Sequence, residues 1–248
     1  MEFTTQHFIA LLPLLITSAT VVLVMLAIAW KRNHTLTFGL SVLGLNLALL
    51  SLLPALGVTP IEVTPLLLVD KFACYYMALV LAATLACVTL THAYLGGESG
   101  KGYPGNREEL YLLMLLSAAG GLVLVSAQHL AGLFIGLELL SVPTYGMIAY
   151  AFFNKRSLEA GIKYMVLSAA GSAFLLFGMA LLYADAGSLS FVGIGQAQIA
   201  TGGVDFGLDQ VGGDGDALAA AQAAHHRVRH PVHGRRPTRH RGNVLARL

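Results

Sequence analysis

Charge is scarce in this chain: Asp, Glu, Lys and Arg make up 11% of its 248 residues, where soluble domains carry about 25%. At 56% hydrophobic residues, a water-solvated globule is excluded and an integral membrane protein is expected. Cysteine is nearly absent too. Cys74 and Cys87 share one apolar run with no CxxC or Cys/His cluster, so neither a disulfide framework nor a metal site is implied, and both read as packing residues. No glycine-rich phosphate loop and no dinucleotide fingerprint occurs, so no nucleotide or redox cofactor is expected on this chain. The N-terminal "MEFTTQHF" has no basic segment, and the apolar run behind it lacks a small-residue cleavage motif. It reads as a retained first transmembrane helix and not as a signal peptide.

Long apolar runs are abundant instead. A hydrocarbon core about 30 Å thick takes roughly 20 residues to cross as a helix. Six spans of that order occur at about 8–30, 36–56, 72–95, 110–127, 130–152 and 158–184. The fold class expected is all-α integral membrane, residues 1–208 forming one polytopic domain. Between the second and third spans, "GVTPIEVTPLLLVDK" holds two prolines and several β-branched residues, and reads as an extended interfacial segment. Lys31 and Arg32 follow the first span, Lys101 and Arg107 the third, and Lys155 and Arg156 the fifth. The opposite loops carry Glu62, Asp70, Asp185 and Asp205, with Lys71 as their one strong base. Since basic loops stay in the cytoplasm, this alternation places the N-terminus outside.

After Leu208 the composition changes abruptly. Residues 209–248 contain seven arginines and five of the nine histidines, but no Phe, Tyr, Ile, Met or Lys. A basic arm for acidic lipid or nucleic acid, or a His-rich metal site, are its functional readings. No helical periodicity or ligand spacing supports them, and no nucleic-acid partner is expected. The residues of the tail are almost all ones that GC-rich codons can encode, and moving the frame by one base can turn each Asp of "GDGDA" into Met. The expectation is therefore an irregular tail produced by a change of reading frame near residue 208, which an uninterrupted resequenced frame would contradict.

Two ionisable residues fall inside the spans. Glu138 stands in "LFIGLELLSVPTYGMIAY", eight residues into the fifth span and so roughly 12 Å deep at the helical rise. A charge at that depth costs about 2.5–3.5 kcal/mol on insertion scales, so it is seldom retained without a partner or a task. Pro143, five residues on, removes a helix hydrogen bond and leaves a free carbonyl at Leu139. Ser141, Thr144 and Tyr145 stand ready to hold water beside the acid. Lys163 lies one to two turns inside the sixth span, with Glu159 at i−4. That order favours a helical ion pair, and a lysine near a helix end snorkels to the interface. The functional reading makes Lys163 a switchable proton site, with Glu159 complementing the helix dipole. The small residues of "LSAAGSAFLLFG" read as a helix-packing face, and His92 and His129 as interfacial side chains.

The stretches "LFIGLELLSVPTYGMIAY", "NKRSLEAGIKYMVLSAAGSAFLLFGMALLY" and "GSLSFVGIG" closely resemble the subunit N family of bacterial proton-pumping NADH:quinone oxidoreductase, respiratory complex I. That family belongs to the antiporter-like membrane proteins, and the resemblance covers about residues 1–208. It implies that the six spans form the N-terminal part of the antiporter-like fold in the bacterial inner membrane. It further implies that Glu138 and Lys163 form a proton relay, with Pro143, Tyr145 and Glu159 in support. NAD, FMN, iron–sulfur clusters and quinone are implied in other subunits, and the partners are the other membrane subunits of the complex and the lipid bilayer. Members are longer, built as inverted repeats with a broken helix in each and with further buried lysines; those parts lie beyond Leu208 in the family pattern. Two alternatives stay open: a subunit of a multisubunit cation/proton antiporter, and a non-pumping structural fragment in which Glu138 and Lys163 are merely satisfied.

Overall fold

The structure, a computed structural model, describes residues 4–96 and 105–201. Lys101 and Asp205, used above for orientation, and the tail 209–248 with its expected change of frame lie outside the described residues. The helices are α1 (Thr5–Trp30), α2 (His34–Leu50), α3 (Leu52–Leu56), α4 (Lys71–Gly96), α5 (Glu108–Val125), α6 (Leu130–Ile148), α7 (Lys155–Ala186) and α8 (Phe191–Thr201). The six apolar runs become six helical spans, α2 and α3 together forming the second.

Local chemistry sets the ends. Asn33 accepts from the N–H groups of Thr35 and Leu36 and starts α2; Asp70 accepts from Ala73 at α4. Asn154 accepts from Arg156 at α7. Each supplies an acceptor to a first-turn N–H that has no intrahelical partner. The fifth span ends at Ile148, four residues before the sequence-based boundary. Asn154 starts the next helix at Lys155, three residues earlier than expected.

The segment between the second and third spans is more than an extended strap. Strands β1 (Ile61–Thr64) and β2 (Leu67–Val69) pair antiparallel with an irregular register, a small hairpin within an otherwise helical fold. It is docked by long-range bonds: Leu68 N–H to the Ser126 carbonyl at 2.8 Å, and Gln128 N–H to the Leu66 carbonyl at 3.0 Å. Gln128 Nε2 also donates to Glu62 Oε1 at 2.7 Å and to the Thr64 carbonyl at 3.0 Å. Unpaired backbone groups in such a loop carry a full desolvation cost, which these bonds remove. The loop before α8 joins the same end, where Leu130 N–H donates to the Leu189 carbonyl. At the other end Arg32 pairs with Glu109 at 3.1 Å, and Tyr150 Oη donates to the Asn106 carbonyl. Arg32, Arg107, Lys155 and Arg156 thus gather at one end of the bundle.

The core lies among α1, α2, α4 and α5, where Val24, Leu45, Leu81, Tyr111, Leu115 and Leu122 are fully buried. Tyr111 brings a hydroxyl into that interior, and a buried phenol finds a polar partner. Its Oη lies 3.3 Å from His92 Nδ1 and 3.5 Å from His34 Nε2. His34 stacks on His92 with ring centroids 4.6 Å apart, and Phe38 covers the other face at 3.9 Å. His92, read from sequence as interfacial, is thus part of a ring stack joining α2, α4 and α5.

Candidate functional site

Helix α6 is fixed by glycines on one side. A Cβ on Gly120 would stand 2.4 Å from the Leu140 nitrogen, and one on Gly136 2.7 Å from the Leu124 nitrogen. The two backbones therefore touch, an approach that only small residues permit. Pro143 is buried, and the helix continues through it to Ile148. Near the proline, Thr144 Oγ1 donates to the Leu140 carbonyl at 2.8 Å, and Ser117 Oγ on α5 lies 3.5 Å from the same oxygen.

Glu138 is two residues from Gly136 and so nearly opposite it around the helix. It is half-buried and faces α7, where Ser172 Oγ donates to its Oε1. A hydroxyl serves this carboxyl in both protonation states, donating to the carboxylate and accepting from the acid. The two ion pairs among the described residues are Arg32–Glu109 and Lys163–Glu159, so the acid has a hydroxyl partner and no salt-bridged cation there. One to two turns on, Tyr145 Oη donates to Ser168 Oγ at 2.6 Å, and its ring centroid is 5.6 Å from that of Tyr164. Tyr145 is thus engaged with Ser168 rather than with Glu138.

Lys163 sits elsewhere. It bonds Glu159 at the i−4 position, and both side chains are largely exposed, at 71% and 62%. Nine residues of helix separate Lys163 from Ser172, roughly 14 Å of axial rise, so Glu138 and Lys163 do not meet as a direct pair. Of the 32 residues of α7 only Gly161 and Met179 are buried. Its outer face presents Ile162, Val166, Phe174 and Phe177, suited to lipid or to another apolar helix.

Sequence reasoning missed three contributors. Ser172 and Ser168 belong to the stretch read as a packing face; nothing in the pattern shows which serines oppose an acid. His129 is a helix cap, its Nδ1 accepting from Ala131 N–H at 3.1 Å. Its position just before an apolar run is the usual place for a capping side chain.

Comparison with known proteins agrees with the region that carries this geometry. Residues 127–211 match the family described as NADH:quinone oxidoreductase/Mrp antiporter, TM. NADH-quinone oxidoreductase subunit N of Ectopseudomonas mendocina (strain ymp) is 82% identical over 201 residues, covering 81% of this chain and 40% of that protein. A chain of respiratory complex I from Thermus thermophilus with bound aureothin superposes with a TM-score of 0.60 at 32% identity, covering 72% of this chain and 38% of that one. A chain of an archaeal membrane-bound sulfane sulfur reductase shares the fold, at TM-score 0.61 and 22% identity, over 75% of this chain and 39% of its own. The chain spans about two-fifths of the length of these relatives. Over the part that these matches cover, the chain is similar to NADH-quinone oxidoreductase subunit N and to the membrane family described as NADH:quinone oxidoreductase/Mrp antiporter.

Proposed function

We propose that this chain provides the N-terminal helices of a membrane-arm subunit that moves protons as NADH is oxidised and quinone reduced in an NADH:quinone oxidoreductase. The observation that carries the reading is Glu138: an acid midway along α6, held by the Ser172 hydroxyl and paired with no cation among the described residues. A carboxyl kept in a membrane helix at several kcal/mol of insertion cost has a task by default, and proton carriage needs only that it gain and lose a proton. Lys163 serves as the second proton-carrying group, with Glu159 as the countercharge of its ammonium form. NADH, flavin, iron–sulfur and quinone chemistry belong to other subunits of the complex, which are its partners in the bacterial inner membrane. The end with Arg32, Arg107, Lys155 and Arg156 faces the cytoplasm, by the retention of basic loops, and the N-terminus lies outside.

The test is Glu138→Gln in the full-length subunit within the assembled complex, read as NADH-driven proton uptake by inverted membrane vesicles. The amide keeps shape and hydrogen bonding but cannot carry a proton. Assembly persists and pumping falls; wild-type pumping by this variant refutes the role. Lys163→Ala gives a milder loss, and unaltered pumping removes that lysine from the relay.

A further inference from the structure

The seam between α6 and α7 holds more polar groups than one acid requires. Hydroxyls elsewhere in the helices mostly donate to a carbonyl one turn back in their own helix: Thr17 to Pro13, Thr20 to Ile16, Ser41 to Thr37, Thr84 to Val80 and Thr144 to Leu140. That is the ordinary fate of a hydroxyl in an apolar helix. Ser172 and Tyr145 break the habit and bond across the seam, to Glu138 and to Ser168. The helices run antiparallel, so these contacts fall in order from mid-membrane outward. Glu138 meets Ser172, Tyr145 meets Ser168, and at the end of the pair Ser157 Oγ donates to the Ile148 carbonyl at 2.7 Å. From Glu138 to Tyr145 is roughly 10 Å of axial rise and to Ile148 roughly 15 Å. Ser168 and Ser172 stand one turn apart on the same face of α7, with Cβ atoms about 5–6 Å apart, a gap that one bridging water spans. Both are half-buried, while Leu167, Ala169, Gly171 and Ala173 beside them are exposed.

We propose that Tyr145, Ser168 and Ser172 conduct protons between Glu138 and the membrane face where Lys155 and Arg156 lie. The inference rests on the reading of Glu138 as a proton carrier. In the inward direction Tyr145 Oη takes up a proton and passes its own to Ser168. Ser168 passes one through the bridging water to Ser172, and Ser172 passes one to Glu138 Oε1. Each hydroxyl and the water end with the hydrogens they began with, and Glu138 gains one. Only groups that both donate and accept serve in such a row, and hydroxyls do both. Arg156 and Lys155 open α7 at the far end, where the chain leaves the apolar region and water is at hand.

The experiment uses the assembled complex with the full-length subunit carrying Tyr145→Phe, Ser168→Ala, Ser172→Ala or Ser172→Thr, beside Glu138→Gln. Protons taken up per NADH oxidised are read in inverted vesicles in H2O and D2O. Tyr145→Phe and Ser172→Ala each lower the ratio several-fold, and Ser172→Thr, which restores the hydroxyl, recovers it. Ser168→Ala enlarges the solvent isotope effect, which a merely structural role leaves unmoved. The infrared carbonyl band of protonated Glu138 moves to higher frequency in Ser172→Ala and stays in place in Tyr145→Phe, separating conduction from positioning of the acid. Loss of pumping in Glu138→Gln with wild-type ratios in Tyr145→Phe and Ser172→Ala overturns the conducting row alone. Wild-type pumping in Glu138→Gln overturns the reading on which it rests.

Discussion

Replacing Gly120 by alanine adds one methyl group where the structure has no room for it. The new Cβ would lie 2.4 Å from the Leu140 nitrogen, 2.7 Å from the Leu139 carbonyl carbon and 2.9 Å from Leu140 Cα, whereas ordinary contact begins at 3.4 Å. All three obstacles are main chain, so no rotamer change relieves the clash, and α6 must retreat from α5 by about 1 Å, the difference of those distances. Overpacking of this kind costs about 1–3 kcal/mol, and a backbone obstacle belongs at the upper end. For a chain of this size a kcal/mol corresponds to about 2–4 °C in melting temperature. With about 1 kcal/mol returned by alanine's better helix propensity, Gly120→Ala is therefore expected to melt roughly 2–8 °C lower in lipid nanodiscs. Gly171→Ala is the matched control: nothing lies within 4 Å of its added Cβ, and alanine is the better helix former by about 1 kcal/mol. It should melt at the wild-type temperature or above. Equal melting of the two variants would refute the close approach of α5 and α6. Glu138 immediately precedes the displaced Leu139 and Leu140, so Gly120→Ala should also loosen the Ser172 bond and weaken pumping in the full complex.

Gln128→Ala removes both side-chain bonds that tie β1 to the start of α6, the shorter being 2.7 Å to Glu62. At about 1 kcal/mol per bond, about 2 kcal/mol for the two, amide exchange across residues 61–69 should accelerate roughly 30-fold with little change in the helices; unchanged exchange there would show that the backbone bonds alone hold the hairpin. Asn154→Ala deletes the acceptor at the start of α7 and should cost about 0.5–2 kcal/mol, whereas Asn154→Ser retains a capping oxygen. Thermal melting of the two variants checks this, equal stability arguing against the cap.

Length and hydropathy made the six spans legible, because lipid imposes a minimum run of apolar residues that nothing else in the chain imitates. Glu138 was legible for the complementary reason: a lone acid in such a run has an energetic cost that invites explanation. The Glu159–Lys163 pair followed from i,i+4 spacing alone, and the structure keeps it. What was illegible is relational. Prolines and β-branched residues announce an extended segment after α3, but its pairing depends on Ser126 and Gln128, some sixty residues away. Ser172 carries no mark that distinguishes it from the small residues around it; its significance comes from the phase of α7 against α6. The same holds for Tyr145, expected beside Glu138 and found bonded to Ser168.

Helix α6 has two faces with different work. Gly132, Gly136 and Pro143 are its buried residues, and through Gly136 the helix is locked against the α5 backbone. The acid and Tyr145 lie on the side toward α7, which is far less buried. A carboxyl that exchanges protons, as proposed for Glu138, benefits from this division. The carboxyl must stay at a fixed depth while its charge changes, and a backbone-to-backbone contact resists displacement because packed interiors do not deform continuously. Its partners must meanwhile reorient, since Ser172 donates to the carboxylate but accepts from the acid. Hydroxyls on a loosely packed helix rotate without disturbing a core. The glycines that crowd one side of α6 and the serines opposite the other are therefore parts of one arrangement, in which a rigid post carries the acid and a more open seam carries the hydrogen bonds that must change.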